Sequence, residues 1–223
     1  MPNVNQYLQY SEIALASYAE DLVSGAANTT KYADGGMSDA RARQFDQSWQ
    51  VLAQQDLSDG FSAVLFERMD ESGTPTGEKV LGIRGTEASH WGIDYLVDVM
   101  NIAALGTNVG MLQYNSLESF YQSMIAQGKL TAAEQITVTG HSLGGFLAQA
   151  FTAKHDSIVS AAYTYNSPGF SVEPGLLSNV GATGDDFTKH VERSERQRAN
   201  RQQPLSMRLS RPRSMKSAFI QAA

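Results

Sequence analysis

The chain has 223 residues, 42% of them hydrophobic and 18% charged, with a net charge of −6 at pH 7; it is long enough to bury one substantial core and too apolar to stay disordered. It holds no cysteine, which excludes a thiol nucleophile, disulfides and thiolate metal sites, and no window approaches the roughly 18 to 20 unbroken apolar residues that span a bilayer. The total charge hides an asymmetry, because residues 1–190 carry 9 Lys+Arg against 21 Asp+Glu whereas residues 191–223 carry 8 against 2.

The opening Met-Pro-Asn-Val-Asn-Gln-Tyr has neither the basic stretch nor the apolar run of a secretory signal. A soluble chain, cytoplasmic or exported by a non-Sec route, is expected. Tyr7, Tyr10, Ala14, Tyr18 and Leu22 recur at spacings of three and four, predicting an amphipathic helix over Val4–Leu22 that ends near Gly25. A second helical pattern runs over Ser38–Leu52, capped by Ser38 or Asp39, with Phe45, Trp49 and Leu52 on one face. Phe61–Met69 and Lys79–Ile83 then read as strands joined by the turn-rich Asp70–Gly77. Ala88–Met100 and Asn115–Gln127 read as helices, and the apolar residues from Trp91 to Leu105 suit an acyl site, a lid or plain core. Gln135–Thr139 is a short β-branched strand, followed at once by a glycine-rich turn and a helical pattern through Lys154. Ile158–Tyr165 is a further strand, ending at Asn166-Ser167-Pro168-Gly169. Strands alternating with helices predict an α/β fold, a mostly parallel sheet flanked by helices.

The turn after Thr139 is Gly140-His141-Ser142-Leu143-Gly144-Gly145, the single Gly-x-Ser-x-Gly of the chain. A serine hydroxyl is a weak nucleophile unless a base lies within hydrogen-bonding distance and its oxygen is presented to a cleft. A sharp strand-to-helix turn presents it, at the cost of a strained serine backbone and a strand and helix so close that flanking side chains must be tiny. Gly140 and Gly144 meet that demand, and the following helix aims free N–H groups at the site, with the Leu143 N–H as first oxyanion donor.

These residues resemble the class 3 lipases of fungi and bacteria, which are α/β-hydrolases, and in particular the bacterial lipases related to repeat-in-toxin enzymes. Two motifs carry the likeness, Thr139-Gly140-His141-Ser142-Leu143-Gly144-Gly145 and Ile83-Arg84-Gly85-Thr86-Glu87 followed by Trp91-x-x-Asp94. They stand in the family's order, and the match spans residues 60–170. The resemblance implies that Thr86 donates a second hydrogen bond to the oxyanion and that Trp91 and Asp94 lie on the next helix. Plainer readings stand beside it: Arg84 as a surface cation, Trp91 as core packing, Asp94 as a helix-surface ion pair and Thr86 as a loop cap.

The acid and base are expected after the nucleophile, in the order Ser, Asp, His. Asp185 or Asp186, in a Gly-rich loop after a short strand at Leu176–Val180, is the expected acid, and a solvated turn is the alternative. Of four histidines, His90 precedes the turn, His141 flanks the serine and reads as packing, and His155 ends the helix, where it can cap carbonyls. His190 remains as the base, although it lies only four or five residues past the acids, closer than the resembled family sets them.

The chain is thus divided into a hydrolase domain over 1–190 and a basic, irregular tail over 191–223. The tail resembles no lipase segment, which raises the expectation that the native C-terminal part has been replaced by a frameshift or lost by truncation, leaving the fold incomplete there. With Phe219 as its only aromatic residue, the tail gives weak grounds for a nucleic-acid or membrane tether, and no nucleic-acid partner is expected. The expected function is a serine-dependent carboxylic ester hydrolase, a lipase, esterase or phospholipase, forming an acyl-enzyme at Ser142. It would act on an ester or lipid substrate, at a lipid–water interface for a lipase, without metal or cofactor. The alternative is a truncated or impaired hydrolase domain acting as a binding module.

Overall fold

A computed structural model describes residues 4–58, 60–85 and 108–167. Chain order gives α1 (Val4–Ala16), α2 (Thr29–Asp34), α3 (Asp39–Ser48), β1 (Trp49–Asp56), β2 (Ser62–Met69), β3 (Pro75–Ile83), α4 (Asn108–Ala126), β4 (Ile136–His141), α5 (Leu143–Lys154) and β5 (Val159–Tyr165). The five strands form one sheet in sequence order. β1, β2 and β3 pair antiparallel, while β3, β4 and β5 pair parallel. The described sheet is therefore mixed, where a mostly parallel one was expected: β3 begins at Pro75, inside the expected turn, and the short 70–74 connection can only return the chain antiparallel, whereas the passages through helices bring it back parallel.

Both faces of the sheet are covered. On one face Leu65, Leu81, Ile83 and Val138 pack with Leu117 and Phe120 of α4 and Leu147 and Phe151 of α5. On the other, Val64, Phe66 and Val80 pack with Ile13 of α1, Tyr32 of α2 and Phe45 of α3. Successive residues of β2 alternate between these cores because strand side chains alternate faces. That is why β2 reads as an unbroken apolar run.

The predicted helix over Ser38–Leu52 stops at Ser48, and Trp49–Asp56 is strand β1. The spacing of Phe45 and Trp49 fits a helix, but Trp49, Val51 and Ala53 alternate buried with Gln50, Leu52 and Gln54, and the segment pairs with β2 from Trp49 to Asp56. The first helix likewise ends at Ala16, before the expected Leu22. The Ser17 hydroxyl donates back to Ile13 O at 2.9 Å, and Gln54 of β1 takes both backbone polarities of the following turn, accepting from Leu22 N at 2.6 Å and donating to Ala19 O at 2.7 Å. The unpredicted α2 starts at a carboxylate far along the chain: Asp46 accepts from the backbone N–H groups of Asn28 and Thr29 and from the Thr29 hydroxyl, the last at 2.5 Å.

Candidate active site

The parallel half of the sheet builds the site by register. Ile83 lies beside Gly140, Gly140 beside Thr164, and His141 beside Tyr165, so β3, β4 and β5 end level with one another. The turns that follow them, Arg84-Gly85, Ser142 and Asn166-Ser167, meet at the C-terminal edge, where open α/β sheets place their ligands.

Ser142 is the whole connection between β4 and α5, at φ 55° and ψ −127°. A non-glycine residue reaches that backbone region only when its surroundings impose it, at a cost of about 1–3 kcal/mol. The surroundings here are hydrogen bonds on both sides. Ser142 N donates to Tyr165 O at 2.9 Å, continuing the β4–β5 ladder, and Ser142 O accepts from Gly145 N and Phe146 N at 3.0 and 3.2 Å, opening α5. An ordinary serine at a helix start turns its hydroxyl onto the helix backbone. The Ser142 hydroxyl does not cap α5.

Close approach of backbones explains the flanking glycines. A Cβ on Gly140 would lie 2.4 Å from the carbonyl of Gly144, and one on Gly144 would lie 2.2 Å from Ile83 O and 2.8 Å from the Arg84 carbonyl carbon. Gly85 is held as tightly, since a Cβ there would meet His141 O at 2.5 Å, the Tyr18 hydroxyl at 2.8 Å and Ser142 Cβ at 3.2 Å. The Arg84-Gly85 turn is thus seated directly against the serine. Ser142 is buried, with 8% of its surface exposed, where the sequence predicted a serine presented to a cleft. Leu143 anchors its side chain in the α4–α5 core at 1% exposure, and as the first helical residue its N–H has no acceptor within α5.

Arg84 is not the surface cation of the plainer reading. Its side chain is 11% exposed and pairs with Glu20 at 3.5 Å and Asp56 at 3.7 Å. His141 is bound at both ring nitrogens, Nε2 to Asn166 Nδ2 at 3.4 Å and Nδ1 to the Tyr18 hydroxyl at 3.1 Å. Packing against the turn, as expected, is its place. The His155 ring does not cap carbonyls as expected. It meets the Glu118 carboxylate at 2.6 Å, and only its backbone N–H caps the helix, at Phe151 O. Burial alone would raise the Glu118 carboxyl, but hydrogen bonds and charge from His155 and Lys154 outweigh it and hold that acid below its ordinary range.

Thr86, Trp91, Asp94 and His90 lie outside the described residues, as do Leu176–Val180, Asp185, Asp186, His190 and the tail. Among the described residues no group of His, Asp and Glu could hold a metal ion, and no helix is long and apolar enough to cross a membrane. Sequence reasoning singled out Ser142 and Leu143, which the structure places at the β4–α5 turn, but gave no role to Gly85, Tyr18 or Asn166. The Arg-Gly-Thr motif contained the signal for Gly85, because a glycine at a strand end beside a nucleophile turn implies close approach. Nothing local signals Tyr18, 123 residues from its partner His141.

No family model matches the sequence, and no curated protein sequence matches it. Solved structures do. A fungal lipase–inhibitor complex, described as a model for interfacial activation in lipases, superposes with a TM-score of 0.50 at 17% identity, over 81% of this chain and 67% of that one. The fold is that of an α/β-hydrolase. A triacylglycerol lipase whose catalytic centre is a serine protease triad gives 0.47 at 15% identity, over 69% of this chain and 55% of that one. A lipase of Yarrowia lipolytica gives 0.44 at 19% identity, over 80% and 63%. This chain therefore spans between 55% and 67% of the length of these three structures.

Proposed function

We propose that this α/β-hydrolase chain is a serine-dependent carboxylic ester hydrolase, lipase-like in its class, that works through an acyl-enzyme at Ser142. The observation that carries the reading is the serine backbone: a strained turn at φ 55°, joining a central strand to a helix, with its hydroxyl not used as a cap and Gly85 against its Cβ. Strain of this kind persists where presenting the side chain matters.

In the proposed reaction the Ser142 oxygen attacks the ester carbonyl while a histidine takes its proton, and a tetrahedral oxyanion forms. The Leu143 N–H and the Thr86 N–H and hydroxyl are the proposed oxyanion donors, and removing one such donor costs about 3 kcal/mol of transition-state stabilisation. Collapse expels the alcohol, which leaves with the proton from the histidine. Water then repeats the sequence on the acyl-enzyme to release the acid and regenerate Ser142. His141 and His155 are both engaged elsewhere. His90 precedes the serine in the chain, against the order Ser, Asp, His, so His190 is the proposed base and Asp185 or Asp186 the proposed orienting acid. The proposed substrate is an ester with an apolar acyl chain, acylglycerols and phospholipids included, and the likeness to class 3 lipases, with its repeat-in-toxin branch, rests on the two sequence motifs.

Hydrolysis of short and long p-nitrophenyl esters by the wild type, Ser142→Ala and His190→Ala tests the reading. Both variants are expected to lose at least a hundredfold in kcat/KM. Full activity in Ser142→Ala would show the mechanism to be wrong. An inert wild type would leave the domain as a binding module.

A further inference from the structure

The segment that leaves α1 touches the active-site end of the sheet at two points. Tyr18 places its hydroxyl on His141 Nδ1 at 3.1 Å and against Gly85, where a Cβ would meet it at 2.8 Å. Two residues on, Glu20 pairs with Arg84 at 3.5 Å. His141 and Gly85 are the neighbours, in sequence and in space, of the nucleophile and of the proposed oxyanion turn. The β3–β4 ladder reaches Ile83 and Gly140, and just beyond it the Arg84-Gly85 turn packs on the serine, where a Cβ on Gly85 would lie 3.2 Å from Ser142 Cβ. The segment after α1 adds a restraint from a third element, with a directional bond between Tyr18 and His141 on one side and the Glu20–Arg84 ion pair on the other.

We propose that Tyr18 is a positioning residue of the active site, whose phenol, bonded to His141 and seated on Gly85, sets the spacing between Ser142 and the Arg84-Gly85 turn. The contacts form a chain, from Asn166 to His141 Nε2 and from His141 Nδ1 to the Tyr18 hydroxyl. The Tyr18 ring meets the imidazole edge-on at 6.2 Å between centroids. Tyr18 lies just past the end of α1, where the Ser17 hydroxyl donates to Ile13 O and Gln54 accepts from Leu22 N. Position 18 thus acts through His141 and Gly85 and not on substrate. A spacing that holds an oxyanion donor at hydrogen-bond distance from the developing charge favours the transition state over the bound ester. Its loss should therefore appear in kcat and leave KM unchanged.

The proposal rests on the ester-hydrolase reading, and its test separates the two. Wild type, Tyr18→Phe and Ser142→Ala are compared on p-nitrophenyl butyrate, with kcat expressed per chain able to take up one fluorophosphonate at saturation, so that misfolded protein does not count. Tyr18→Phe keeps the ring and loses the hydroxyl. We expect kcat to fall about fivefold, the size of one lost neutral hydrogen bond, with KM within twofold and the rate of fluorophosphonate labelling reduced in step with kcat. An unchanged kcat per labelled chain overturns the proposal, as does a rise in KM with kcat intact, which would put the phenol in contact with substrate. Full activity in Ser142→Ala instead overturns the hydrolase reading itself.

Discussion

Helix α5 begins at Ser142 and ends at His155, and the two ends use their polar groups differently. At the first end the serine backbone is strained, the flanking glycines exist to let backbones touch, and the side-chain hydroxyl is kept off the helix. At the second end the side chains are fully committed to one another. Glu118 of α4 accepts from Tyr114 at 3.0 Å, meets His155 at 2.6 Å and pairs with Lys154 at 3.2 Å, while Phe151 and Tyr121 pack on the imidazole. One histidine on this helix boundary supports the nucleophile turn and the other fastens α4 to α5. The contrast fits the reactivity proposed for the strained end and a fastening role for the satisfied end.

Substitutions at the two ends should accordingly separate activity from stability. The largest effect is expected for Gly144→Ala, whose new methyl group would collide with the backbone of Ile83 and Arg84. Ester hydrolysis should fall more than a hundredfold, and near-normal rates would mean that the turn is not as tight as described. Glu118→Gln comes next, because it leaves His155 and Lys154 without their charged partner. A loss of about 2 kcal/mol, seen as a Tm lower by about 6 °C, is expected with kcat/KM within twofold. A large loss of activity would break the division of labour between the ends.

The same pair carries a pH signature. The Glu118 carboxyl is held below its ordinary value of 4.5 in the folded chain, so as the pH falls the unfolded chain binds this proton first. Its stabilising contribution is complete above 4.5 and disappears as the pH drops through the depressed folded value. Denaturant titrations should show the stability gap between wild type and Glu118→Gln closing below about pH 4.5. A gap that did not narrow as the pH fell from 4.5 to the acid limit of folding would remove the ion pair from the account. The smallest effect concerns strain: Ser142→Gly should be more stable than Ser142→Ala by about 1 kcal/mol, because glycine accepts a positive φ that alanine resists.

How much of this was legible in the chain depended on the distance over which each feature is determined. The nucleophile turn is local, its strand, glycines and serine all lying within Ile136–Gly145, and the sequence contained it whole. The β2–β3 hairpin was equally local, with Asp70 accepting from Ser72 and Thr74 inside the turn itself. The ends of the first and third helices were not, because Gln54 captures the backbone after α1, and pairing with β2 turns Trp49–Asp56 into a strand. Helix α2 was missed because Asp46 starts it from 17 residues away. In the site, Ser142 and Leu143 were legible as a motif, whereas Tyr18 and Asn166 reach His141 only through the fold.

The most direct test of the central claim is mass spectrometry of the folded chain after treatment with a fluorophosphonate probe. The account predicts one adduct per chain, located on Ser142 and absent from Ser142→Ala. No adduct on the native protein, or an adduct on another of its serines with position 142 untouched, would contradict it.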